Sequence, residues 1–474
     1  MTVLVVAVNE DCREDEGICD NRYHCTKDTY LCKRDGLFPL VLLDYFGIVI
    51  MAVLMSLSIA AGLGGGEIVV PIIKICFGFS QTEAAPISQC CIMLAGITRF
   101  IINYKKKHPH KDAVPIDYNA AMVLMPAIFF GASIGQMLHE ILPNLFQEVM
   151  LLVVLGYCVL ESCKKGMKLW KQESKEKRGE VEEADKTSIL SKEDPSAQAL
   201  LQKDKINGTN SLDSSNITDS SPERGSSNSN GVRRSFIQRF ENNEKSHWQF
   251  GKLIPIWLVL AALIGQAILK DSGLISIEEC SLAYWAIYVA YVLCCAIALV
   301  FSYIKIKKDV ALRQAIYGDN LPKGEVKFDN KKIISVVGVS VLAGCVASVI
   351  GVGGGVIYLP MLLIIGYPPF VASSTSIFMV MYAAAANFIS YTIGGQTNIP
   401  YAFWLGLWTC IGVVIGVTAA NKIVQKTGRQ SIFIILLGVV MTICFVLTVV
   451  FATLSTIDEV HDGEGVFKFG NLCD

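Results

Sequence analysis

Long apolar runs separated by short polar loops dominate the chain. Stretches 39–62, 85–104, 118–139, 146–163, 253–269, 281–304, 333–352, 371–391, 401–420 and 431–454 each come close to the roughly 20 apolar residues that a helix needs to cross a bilayer. They predict an all-α polytopic membrane protein with about ten transmembrane helices. Two shorter apolar pieces, 67–79 and 356–366, each follow a glycine cluster. A helix of that length reaches only about 20 Å, against a hydrocarbon core of about 30 Å, so the pair predicts two glycine-broken half-helices. Backbone opened at that depth is tolerated only where it packs within protein or lines a wet cavity.

Composition agrees with the pattern. Of 474 residues, 52% are hydrophobic and 18% charged, with a mean hydropathy of +0.47, too apolar for an ordinary soluble protein. The 41 Lys and Arg nearly balance 42 Asp and Glu, which excludes a nucleic-acid binder held by a net basic field. Residues 171–235 hold no aromatic side chain and are rich in Lys, Glu, Asp, Ser and Asn, so they predict a disordered stretch. Two sequons there, at Asn207 and Asn216, suit either lumenal glycosylation or chance in an Asn- and Ser-rich tract, and the basic flanks favour chance.

The N-terminal Met1–Val8 is a short apolar stretch without a basic start, which does not predict a cleaved leader. Cys12, Cys19, Cys25 and Cys32 follow at nearly regular spacing in a polar segment. Two disulfides in an oxidising compartment are the expectation, with connectivity open. A zinc site aided by His24 is the rival, weakened by the lack of a Cys-X-X-Cys pair. The remaining cysteines lie mostly in apolar spans and are expected as small packing residues.

The strongest internal signal is a repeat. Gly62-Leu63-Gly64-Gly65-Gly66-Glu67-Ile68-Val69-Val70-Pro71 aligns without a gap on Gly351-Val352-Gly353-Gly354-Gly355-Val356-Ile357-Tyr358-Leu359-Pro360. Downstream, Gly131 and Gly135 match Gly412 and Gly416, and Gly156 matches Gly438. Lysines and arginines cluster in alternate loops, at 105–111, 164–171, 305–332 and 422–429, whereas 80–84, 140–145 and 392–400 have none. If the basic loops are cytoplasmic, the halves enter from opposite sides and form two inverted repeats.

The expected organisation is an extracytoplasmic Cys-rich arm (1–38), a first repeat (39–164), a disordered cytoplasmic linker (165–252) and two additional helices (253–305). A basic cytoplasmic loop (306–332), a second repeat (333–454) and an extracytoplasmic tail (455–474) complete it. Inverted repeats with interrupted helices are a layout in which substrate binds near the midplane.

The duplicated G-x-G-G-G-x4-P string, followed by a polar turn and a Ser/Thr/Gln-bearing helix, resembles the TauE/SafE sulfite-exporter-like membrane transporters. The resemblance covers both repeats but not the arm, linker or tail. It implies secondary transport of a small sulfur-containing anion such as sulfite, a sulfonate or a related organic acid, with proton coupling.

The residues themselves suggest an anion site. Gly64, Gly65 and Gly66, with Gly353, Gly354 and Gly355, expose backbone N–H groups at helix starts and form a candidate cradle, against the plainer role of close packing. Ser88 and Gln89 in the first half, and Ser373, Ser374, Thr375 and Ser376 in the second, are candidate ligands by hydrogen bonding, with Asn387 and Gln396 weaker ones. Glu67 and Lys74 are coupling candidates, Glu67 for a proton and Lys74 for the anion; mutual pairing is the alternative. Arg99 is close enough to the Lys105 loop to snorkel, with substrate binding as the alternative. No catalytic constellation, metal-ligand set or phosphate-binding loop is present in the sequence, so no enzyme, cofactor or metal is expected. The expected partners are a small anionic solute, the lipid bilayer and a coupling proton. A receptor or scaffold that uses the arm or linker is the alternative function.

Overall fold

The structure is a computed structural model describing residues 23–25, 32–34, 37, 40, 42–77, 79, 81–108, 113–193, 245–271, 281–317, 330–349, 355–395, 397–429 and 431–461. Twelve helices are described: α1 (Leu42–Ala61), α2 (Gly66–Phe77), α3 (Gln81–Asn103), α4 (Tyr118–Ile141), α5 (Asn144–Glu193), α6 (Phe250–Asp271), α7 (Leu282–Tyr317), α8 (Asn330–Val349), α9 (Gly355–Ile365), α10 (Pro369–Ile393), α11 (Ile399–Thr427) and α12 (Ser431–His461). A small antiparallel ladder, β1 (Tyr23–Cys25) with β2 (Cys32–Arg34), precedes them.

All ten apolar runs fall in helices, and both short pieces, α2 and α9, are short helices. Among the described residues, seven helices (α1, α3, α4, α6, α7, α10 and α11) are long and apolar enough to span a membrane. The faces turned outward are apolar as well. On α7, Val289, Leu293, Ile297, Val300 and Ile304 are all exposed, as expected for a lipid-facing stripe.

Three further expectations change. The segment after residue 164 does not begin the disordered linker, because α5 continues unbroken to Glu193. Its Lys- and Glu-rich sequence has high helix propensity, with oppositely charged residues four apart such as Glu173 and Lys177. Tertiary contacts anchor its first part: Glu173 accepts from Ser431 N–H at 3.1 Å and from its hydroxyl at 2.5 Å, capping α12, while Arg429 lies 4.1 Å from the Trp170 ring. The other end of the linker assignment is also too generous, since α6 begins at Phe250, and α12 continues past 454 to His461. Residues 194–244, with both sequons, lie outside the described residues.

In the arm, Cys25 and Cys32 stand opposite each other across the ladder, while Cys12 and Cys19 lie outside the described residues. The side chains of Cys25 and Cys32 also lie outside what the structure describes, and the disulfide pairing expected for this arm has no support from it.

The helices interlock through glycine. A Cβ at Gly131 of α4 would sit 1.9 Å from the Val341 carbonyl oxygen of α8, and one at Gly135 would sit 2.3 Å from that of Cys345. On the other side of the molecule, a Cβ at Gly412 of α11 would sit 2.4 Å from the Ala52 carbonyl oxygen of α1, and one at Gly416 would meet Ser56 at 2.5 Å. The same gap-free register that pairs Gly62 with Gly351 pairs Ala52 with Val341 and Ser56 with Cys345. Thus α4 on α8 and α11 on α1 are one packing arrangement built twice. Around this frame α10 packs on α3, α12 on α5, and α6 and α7 pack on each other and on α4.

These backbone contacts predict that Gly131→Ala and Gly412→Ala each destabilise the protein by about 1–3 kcal/mol, read as a lower Tm in detergent. Gly338→Ala, at an exposed position of α8 with no atom within 4 Å of the added methyl, is expected to be neutral or to stabilise by up to about 1 kcal/mol. Equal effects at the three positions would refute close packing as the role of Gly131 and Gly412.

Candidate functional site

The first glycine break is a packed corner. Helix α1 ends with Gly62 and Leu63 N–H groups both donating to the Ser58 carbonyl, at 2.8 and 3.0 Å. Gly62, Gly64 and Gly65 then adopt φ of 108°, 96° and 85°, a region open to glycine and strained for other residues. The space beside them is filled. A Cβ on Gly62 would lie 2.6 Å from Ser373 Oγ, one on Gly64 2.7 Å from a Val380 methyl, and one on Gly65 2.4 Å from Met55 Sδ. Here close packing, rather than an open cradle, is what glycine provides. Gly66 opens α2, and Gly355 opens α9. Gly353 and Gly354 lie outside the described residues.

The polar run on α10 supplies the site. Four consecutive residues of a helix point in four directions about 100° apart, and each of these meets a different neighbour. Ser373 Oγ accepts from Arg99 Nη2 at 2.5 Å. Thr375 Oγ1 accepts from Asp117 N–H at 3.0 Å, the residue whose carboxylate caps α4 through Asn119 and Ala120 N–H. Ser376 donates to the Gly62 carbonyl at 2.8 Å, tying α10 to the first break. Ser374 Oγ is buried without a hydrogen-bond partner.

Ser374 instead faces a cavity of about 20 Å³, room for one water, between α3, α10 and the loop before α4. Gly96, Arg99 and Asn103 enter it from one face of α3, Phe100 and Phe378 form apolar walls, and His247 also lines it. Arg99 is only 2% exposed. It does not snorkel: Nη2 turns inward to Ser373, while Nε and Nη1 are buried with no partner, as is Asn103 Oδ1. The helix rotation explains this, since Ile97 and Ile101 occupy the outward face of α3 and leave Arg99 on the inward one. Burying a guanidinium with a single neutral hydrogen bond costs several kcal/mol, so the group is held in place by the fold and offers two N–H-bearing nitrogens to an anion.

At the Lys-rich end, Lys106 Nζ lies 5.8 Å from the Phe370 ring, and burial together with the Arg99 charge pulls its ammonium down to about 8. His247 Nε2 lies 2.8 Å from the Tyr104 carbonyl and Nδ1 3.3 Å from the Tyr118 hydroxyl, with its ring stacked on Tyr104.

The other candidates lie elsewhere. Ser88 is buried and bonds back to the Ala85 carbonyl at 2.7 Å within its own helix, and Gln89 is half-buried beside it; neither lines the cavity. Lys74 is exposed in the last turn of α2, and Glu67 lies in that helix's first turn. Asn387 is half-buried on α10, and Gln396 lies outside the described residues. The sequence thus marked the Ser373–Ser376 run and offered substrate binding by Arg99 as second to snorkelling, but gave no notice of Asn103 and His247. The signal for Arg99 and Asn103 was the Gly96, Arg99, Asn103 spacing, which places a charge and an amide on a helix's interior face; nothing local marked His247. No group of three or more metal-ligating side chains is present among the described residues.

A bundle of apolar helices enclosing an unpaired buried cation defines a polytopic membrane protein with an internal polar site. Comparison with known proteins makes this specific. The family model described as "Sulfite exporter TauE/SafE" matches residues 45–188 and 235–444, and the chain belongs to that family. Among relatives, it is 25% identical to Sulfite exporter TauE/SafE family protein 5 of Arabidopsis thaliana over 84% of this chain and 80% of that one. It is 26% identical to family protein 3 of the same plant, over 87% and 79%. A shorter stretch, 19% of this chain and 34% of the relative, is 31% identical to the "Probable membrane transporter protein YunE" of Bacillus subtilis (strain 168). No solved structure matches significantly.

A buried charge kept for function opposes stability. Arg99→Met is therefore expected to raise the stability of the purified protein by about 1–2 kcal/mol, and Ser373→Ala, which strips the guanidinium of its bond, to lower it by about 1.5–3 kcal/mol. Thermal unfolding in detergent checks both, and a destabilised Arg99→Met would mean that the guanidinium holds the helices together.

Proposed function

We propose that this protein is a secondary-active transporter of a small anion, namely sulfite, a sulfonate or a related organic acid, working by alternating access. The observation that carries the reading is the buried Arg99 guanidinium, with two unpaired nitrogens facing a cavity shared by α3 of the first half and α10 of the second. Ser374 adds a hydroxyl donor for a negative group, Ser373 holds the guanidinium from behind, and Phe100 and Phe378 add apolar walls. A cavity of about 20 Å³ is smaller than a sulfite ion, so the substrate enters only when α3 and α10, or the residues capping them, move apart. The names of the plant relatives support sulfite as the first substrate to test, and that of the bacterial relative supports transport.

In this reading the two halves are inverted repeats, supported by the doubled glycine packing of α4 on α8 and α11 on α1. The Lys-rich loops and the linker face the cytoplasm, and both termini face the other side. Glu67, at the start of α2 beside the first break, carries a coupling proton, and Lys74 draws the anion towards the membrane. The presence of Arg99, Asn103 and Ser374 in an otherwise apolar lining favours a transporter over a receptor or scaffold, for which a site filled by large apolar side chains is expected.

Flux of sulfite, sulfate, sulfonates and carboxylates into proteoliposomes, with and without a pH gradient, tests the proposal. In Arg99→Met the affinity for the transported anion is expected to fall by at least about tenfold, since each charge-assisted hydrogen bond is worth about 1.5–3 kcal/mol. Undiminished flux in that variant would remove the Arg99 cavity from the mechanism. Glu67→Gln is expected to abolish the response to the gradient; a response like that of the parent would exclude Glu67 as the proton carrier.

A further inference from the structure

His247 lies in the short segment leading into α6, yet it packs among residues from the first half of the chain. Its ring stacks on Tyr104 with centroids 4.4 Å apart and meets Phe100 edge to face at 5.5 Å. It lines the Lys-rich end of the Arg99 cavity. The tautomer follows from the partners. A carbonyl oxygen can only accept, so Nε2 carries the hydrogen given to Tyr104, and Nδ1, bare, accepts from the Tyr118 hydroxyl. The neutral imidazole therefore bridges α3 and α4 across the mouth of the site.

We propose that His247 is a pH-operated plug on the anion site: neutral, it accepts from Tyr118 and covers the cavity, and on taking a proton from water at Nδ1 it can no longer accept that bond, becomes a second cation lining the same cavity as Arg99, and swings out. This inference rests on the reading of the Arg99 cavity as the anion site.

The surroundings fix the direction of the response. Arg99, Phe100 and Asn103 of α3 and Ser374 and Phe378 of α10 line the cavity together with the imidazole, which is held by the Tyr104 carbonyl after α3 and by Tyr118 of α4, where the Asp117 carboxylate is turned to cap the helix. The fixed charge that shares the cavity, Arg99, is positive, and a second cation there is repelled. Burial also holds the imidazole below its ordinary 6.5, partly offset by the bond to the Tyr104 carbonyl. A lowered histidine value means that the sealed form is stabilised above the ordinary value and loses that advantage as pH falls. Acid on the Lys-rich side therefore opens the site.

The test follows access to the cavity directly. In the full chain in nanodiscs, Ser374→Cys is labelled with a small anionic methanethiosulfonate, and modification at position 374 is read by peptide mass. Rates are divided by those of the His247→Gln background at the same pH, which cancels the change in thiolate fraction. Glutamine can donate to Tyr104 and accept from Tyr118 but does not titrate in this range. The ratio is expected to be near one at pH 8 and to rise to about five or more at pH 5.5. His247→Ala is expected to label rapidly at both pH values. A ratio that stays within about twofold of one, or a His247→Ala rate at pH 8 no greater than that of the parent, would overturn the plug. Protection by methanesulfonate, which does not react with the thiosulfonate reagent, at pH 5.5, with and without Arg99→Met, reads the anion site separately. Absent protection with the pH-dependent ratio intact overturns the Arg99 reading alone, and protection with a flat ratio overturns the plug alone.

Discussion

A guanidinium inside a helical membrane protein must be surrounded by carboxylates, by water or by a ligand, because an isolated ion in a medium of low dielectric is penalised by several kcal/mol. Arg99 has one serine hydroxyl, a water-sized cavity and no carboxylate partner among the described residues. Much of the surrounding architecture can be understood as what holds it there. The inward rotation of α3, the approach of α10 and the loop before α4 all converge on this group, and Ser373 of the polar run of α10 accepts its one hydrogen bond.

That convergence depends on how closely the helices approach. Lipid chains give apolar helix faces little reason to choose one another, so van der Waals packing at small residues selects the contacts. Gly131, Gly135, Gly344, Gly412 and Gly416 bring side chain or backbone of one helix to within the radius of a methyl group of the next. The frame is therefore intolerant of change at a few points and permissive along its lipid-facing stripes. Between the two lies the first glycine corner, where Ser376 and Ser373 of α10 press on Gly62. A shift of α10 would be felt both at that corner and at Arg99, a physical link between the broken helix and the anion site.

The glycine strings illustrate how a correct landmark can carry a different role. Their spacing announced a helix break, and α1 does end there, with α2 starting after it. Positive φ explains why glycine is required. Whether exposed N–H groups face a cavity is another matter, and at Gly62, Gly64 and Gly65 the neighbouring space is taken by Ser373, Val380 and Met55. Ser88 shows the same distinction: a hydroxyl on the expected helix satisfies its own backbone.

Local sequence was sufficient for the class of protein, the positions of the helices, the two short segments, the internal repeat and the family resemblance, because apolar length, glycine clusters and ordered landmarks are properties of neighbouring residues. It also marked Ser373–Ser376 as polar residues in an apolar setting. It could not say which of these faced a cavity, nor that Arg99 turned inward, because a helix's rotation about its axis is set by its neighbours. It misjudged residues 165–193 because low aromatic content argued for disorder, while helix propensity and the contacts of Trp170 and Glu173 with the α11–α12 turn support a helix. His247 was beyond its reach altogether. Its partners, Tyr104 and Tyr118, are more than a hundred residues away along the chain, and only tertiary packing brings them within a hydrogen bond of the imidazole.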